Sequence, residues 1–79
     1  MKNINLTEME FMALVVLAQS KLGLVKLTRE QQAELKKIIE SSQPFVQEVA
    51  EVLETGNGSK EAVEFAEKLV EIAQQNPEA

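Results

Sequence analysis

Phe11-Met12-Ala13-Leu14-Val15-Val16-Leu17-Ala18 places eight apolar residues in succession. A helix on the surface of a small domain needs one apolar stripe, not an apolar circumference. At ~100° per residue these positions surround the axis, with narrow polar breaks at Glu8/Gln19 and Glu10/Lys21. Such a helix has to be enclosed, by the rest of its own domain or by a second molecule. The run is short of the ~20 residues of a membrane span. Lys2, Asn3, Asn5, Thr7 and Glu8 ahead of it do not read as a signal peptide. The expected setting is the cytoplasm, with no membrane partner.

The start of this helix is over-specified. Thr7 and Glu10 form an S/T-x-x-E capping box, and Leu6 and Phe11 sit at the two positions of a hydrophobic staple. Gly23 is a natural residue just past a helix end, which predicts a helix over about 8–22. Leu24-Val25-Lys26-Leu27 is a short apolar connector. Thr28 then caps a second helix, with Gln31 as its reciprocal partner, over about 29–41. Its stripe is narrow, Leu35, Ile38 and Ile39, so it belongs at the periphery.

Pro44 is tolerated in the first turn of a helix and disruptive inside one. Apolar spacing runs on from Leu35 to Leu53, which allows one long kinked helix. The reading adopted is a break at Ser41-Ser42-Gln43, with a new cap and a third helix over about 44–54. Phe45, Val46, Val49, Ala50, Val52 and Leu53 share its apolar face. Thr55-Gly56-Asn57-Gly58 is a strong turn signal. Ser59 caps a fourth helix over about 60–75, whose apolar face is Ala62, Val63, Phe65, Ala66, Leu69, Val70, Ile72 and Ala73. Asn76-Pro77 stops it. The predicted fold is all-α: one domain over 1–79, a small bundle or array of three to four short helices, with the first at the centre and the last two forming an antiparallel hairpin. Residues 1–5 and 76–79 are expected to be flexible.

Composition removes much chemistry. There is no His, Cys or Asp among the 79 residues. The usual zinc, iron–sulfur and haem ligand sets are missing, and so is the common base for a Ser or Thr nucleophile. Ser20-Lys21 and Ser59-Lys60 are adjacent pairs, and neighbouring helix residues diverge by ~100°. No Glu interrupts an apolar face, where it would be desolvated enough to act as an acid. A calcium loop around the Gly-Asn-Gly turn fails in both registers. With Gly56 at position 6, Leu53 falls at position 3 and Ala62 at position 12; with Gly58 there, Leu53 falls at position 1. Gly56-Asn57-Gly58-Ser59-Lys60 lacks the order of a phosphate-binding loop, and no strand precedes it. The chain is read as a non-enzyme with no metal and no cofactor.

Charge points to a protein partner. Net charge is −5, with a balance of +1 over residues 1–40 and −6 over 41–79. A phosphate backbone repels such a chain, and a basic protein attracts it. Two faces are candidates. One is an acidic surface across the last two helices, formed by Glu48, Glu51, Glu54, Glu61, Glu64, Glu67 and Glu71. Such rows most often only keep a helix solvated; here, acid rows on both helices of one hairpin suit docking to a basic partner. The other is an apolar interface on the first helix, formed by Met9, Met12 and Val16. The resulting expectation is an accessory or inhibitor module that occupies a partner surface, of a size and composition that suit phage, plasmid or toxin systems. One alternative is a homodimer or larger homo-oligomer completing its core through the first helix. Another is a helix-turn-helix regulator using Arg29, Lys36 and Lys37, although Glu30, Glu34 and Glu40 interleave with them.

Thr7-Glu8-Met9-Glu10-Phe11-Met12-Ala13-Leu14-Val15 resembles the first helix of colicin DNase immunity proteins. The likeness is a helix-start pattern of about nine residues. The Tyr-Tyr-Pro segment that carries binding in that family has no counterpart here. Acyl carrier proteins are also small, acidic and four-helical, but their Asp-Ser-Leu attachment motif is absent. The chain is assigned to neither family.

Overall fold

A computed structural model describes residues 5–75, in which four helices follow one another: α1 (Glu8–Lys21), α2 (Arg29–Glu40), α3 (Pro44–Thr55) and α4 (Lys60–Gln75). Their ends lie within one residue of the predicted bounds. Of the segments expected to be flexible, residues 1–4 and 76–79 lie outside the described residues. The carbonyl of Asn5 accepts a hydrogen bond from Gln43 Nε2 at 2.8 Å.

Local side-chain chemistry sets the boundaries. Thr7 Oγ1 accepts from the Glu10 N–H at 3.0 Å, and Glu10 Oε1 accepts from the Thr7 N–H at 3.1 Å. Thr28 and Gln31 repeat the box at 3.1 and 2.9 Å. Ser59 Oγ accepts from the Ala62 N–H at 3.2 Å and caps α4. The chain breaks before Pro44, which is the first residue of α3. The break differs in one detail from expectation. Gln43 makes no capping bond to α3, and Ser41 and Ser42 donate backward to carbonyls of α2. The Val46 N–H, which a capping side chain would take, donates instead to the Gln43 carbonyl at 3.0 Å, and Pro44 has no N–H of its own to satisfy.

α1 is the centre. It packs on all three other helices, whereas α2 and α4 do not approach each other. Its buried residues are Ala13, Leu14, Val15, Leu17, Ala18 and Gln19. Gln19, in one of the narrow polar breaks, is only 1% exposed. α4 packs on α1 and α3, and it buries Ala62, Ala66, Leu69 and Ala73. Packing α3 against α4 brings Phe45 and Phe65 edge to face, with centroids 5.6 Å apart. That arrangement suits the quadrupoles of the two rings. α2 buries none of its residues.

Glu10 also ties α1 to the α2–α3 junction. Its carboxylate accepts from Gln43 Nε2 at 3.2 Å and from the Gln43 N–H at 3.3 Å. The Thr7 N–H, and after it the Gln43 side-chain amide, hold its pKa below the ordinary value of 4.5. A lowered folded-state pKa means stability that is complete above the unfolded pKa and lost as pH falls through the folded one. The difference in urea midpoint between wild type and Glu10→Gln is therefore expected to be largest at neutral pH. It should shrink below about pH 5, as the wild-type carboxylate takes up its proton. Gln keeps an acceptor oxygen, so a pH-independent difference would remove the charge from this account.

Candidate functional site

The apolar circumference of α1 is not fully enclosed. Met9 and Met12 are 65% and 58% exposed, and Val16 is half-buried. With Ala13 they follow the i, i+3, i+4, i+7 rhythm of one helix face. Leu27, Gln31, Glu34, Leu35 and Ile38 stand opposite, on α2 and the connector before it. Between the two rows lies a shallow groove of about 250 Å³. Glu34 is the one charged side chain that lines it, and it forms no ion pair among the described residues.

A larger cleft of about 710 Å³ lies on the other flank of α2. Leu17, Leu27, Leu35, Ile39 and Ala50 give it an apolar floor. Lys21, Lys36, Glu40, Glu51 and Glu54 give it a rim of mixed charge. Leu27 and Leu35 line both hollows, so α2 stands on a narrow ridge between them.

The seven acidic candidates lie in different surroundings. Glu48 Oε2 accepts from the Ser59 N–H at 3.0 Å and so pins the turn before α4. Glu54 pairs with Lys21 at 2.9 Å, and Glu51 lines the larger cleft with it. Glu61, Glu64, Glu67 and Glu71 stay exposed on α4 and line neither hollow. The α3 row winds around its helix because i, i+3 steps drift by ~60°, which carries Glu54 toward α1 and Glu48 toward α4. Among the described residues no group of carboxylates comes together in a way that could hold a metal ion. Of the cations on α2, Lys36 lines the mixed cleft beside Glu40, while Arg29 and Lys37 line neither hollow.

The α2 half of the groove is the part that sequence reasoning missed. The signal was present: Leu27, Gln31, Glu34, Leu35 and Ile38 keep the same helical rhythm as Met9, Met12, Ala13 and Val16. Reading Leu35, Ile38 and Ile39 as one core stripe concealed that Ile38 and Ile39 face opposite hollows. Among the described residues no helix is long and apolar enough to cross a membrane. Comparison with protein-family models, with curated proteins and with solved structures finds no match. The functional reading therefore rests on these side chains.

Proposed function

We propose that this chain is a non-enzymatic protein-binding module that occupies a partner's surface through the groove between α1 and α2. What supports this most is the exposure of Met9 and Met12 on the helix that otherwise forms the core. Keeping a large apolar side chain wet forgoes about 1.5–3 kcal/mol of burial. Methionine is flexible and polarisable, which suits an adaptable contact. A trough between two helices accepts an amphipathic helix through side chains spaced three and four apart.

The occupant that fits is an amphipathic helix of a basic protein, with Lys or Arg beside its aliphatic stripe. Glu34 offers an unpaired carboxylate in the groove, and the net charge of −5 attracts cations at longer range. The acidic face of α4 adds to that attraction and makes no contact of its own in this reading. A second copy of the chain fits less well. It carries the same net charge of −5 and presents a second Glu34, so like charges meet in the groove.

Two synthetic helical peptides with the same leucine stripe, one with a lysine polar face and one with a glutamate face, test this. The Leu/Lys peptide is expected to shift the methyl resonances of Met9 and Met12, and the Leu/Glu peptide to leave them unchanged. Met12→Ala should weaken the Leu/Lys peptide by about thirtyfold, the scale of an interface hot spot. Equal response to both peptides, or to neither, overturns the basic-helix reading. A dimer seen by light scattering that is lost in Met12→Glu assigns the groove to a second copy instead.

A further inference from the structure

We infer that α2 opens as a separate unit, swinging about its C-terminal end and joining the two hollows beside it into one apolar face. It is the one helix of the four without a buried residue, and it does not approach α4. Half-buried side chains hold it, chiefly Leu27, Leu35, Ile38 and Ile39. Open space borders it on both flanks, so little packing is lost when it leaves.

The two ends of α2 are tied differently. At the C-terminal end, Gln47 Nε2 donates to the carbonyls of Glu40 and Ser42 at 3.0 and 2.9 Å, anchoring the junction to α3. At the N-terminal end, the side chains of Thr28, Gln31 and Gln32 bond, among the described residues, only within residues 27–32. Those bonds do not tie α2 to another helix, and once detached from α1 a helix of 12 residues is marginal even when capped, so its backbone bonds break and its amides exchange. Leu22, Gly23 and Leu24 are bonded back to the last turn of α1, so the connector can give only over residues 25–27. Opening would uncover Leu17 and Ala50 and make them continuous with Met9, Met12 and Val16. This inference rests on the packing of α2 and stands for any occupant of the groove.

Hydrogen exchange of the full chain, followed by NMR in sub-denaturing urea, is the test. Amides of residues 33–40 are expected to exchange at least about a hundredfold faster than those of residues 14–18, through a local opening. Their rates should also depend less on urea, because a smaller surface is exposed. Leu35→Ala should speed α2 exchange about tenfold and leave residues 14–18 and 66–73 unchanged. If α2 amides share the rate and urea dependence of α1, or if Leu35→Ala speeds all four helices alike, α2 opens only with the whole domain. Exchange reports no binding, so its outcome is separate from that of the peptide titration.

Discussion

Leu14→Ala is expected to lower the unfolding free energy by about 2–5 kcal/mol, measured by equilibrium urea denaturation. Leu14 is 0% exposed at the middle of α1, which packs on all three other helices. Truncation there loses the transfer free energy of the removed carbons. It also leaves a hole that collapse cannot close, because α3 and α4 are each fixed against the same helix. A domain of this size holds roughly 4–12 kcal/mol in total, so one such deletion takes a large share of its stability. Met12→Ala is the control. Its side chain is 58% exposed, and the change should stay within about 0.5 kcal/mol. Equal losses in the two variants would mean that α1 is not centred as described.

Gly58→Ala is expected to cost about 1–3 kcal/mol, as overpacking does. A Cβ on Gly58 would overlap Val52 Cγ2 and touch Glu48 Cγ and Ala62 Cβ at 3.7 and 3.8 Å. Val52 is buried and β-branched, so its χ1 cannot turn aside without strain. The turn backbone has to move instead, and the Ser59 N–H bond to Glu48 moves with it. Gly56 is needed for a different reason: its φ of 82° is the left-handed conformation that ends α3. A double-mutant cycle distinguishes the two. Gly58→Ala should cost less when Val52 is already Ala, whereas the cost of Gly56→Ala should not depend on Val52.

The turn itself was legible in Thr55-Gly56-Asn57-Gly58, and its two glycines looked alike there. One serves its own φ and the other serves a side chain six residues away, which only the folded turn distinguishes. The helix starts were legible for the opposite reason. A capping box is closed within three residues, so Thr7/Glu10 and Thr28/Gln31 carry their geometry in the sequence. The second attachment of Glu10, to Gln43, spans 33 positions and has no local signature. The acidic rows were also visible as spacing, but where each carboxylate points was not. That depended on how α3 is rotated against α1 and α4, and this rotation took Glu48 and Glu54 into contacts of their own.

By itself, the sequence determined an all-α array of three to four helices, their ends to within a residue, with the first at the centre; that Pro44 opens a separate helix was decided by the fold. Caps, glycines and proline act over three or four residues, and eight apolar residues in a row cannot all remain at a surface. Which side of α1 stays open was decided only by the tertiary structure. An apolar circumference has no preferred direction, so its periodicity cannot assign faces to neighbours. α3 and α4 each pack a buried face on α1. α2 has too narrow a stripe to cover the rest, and the side it leaves open is the one that carries Met9 and Met12.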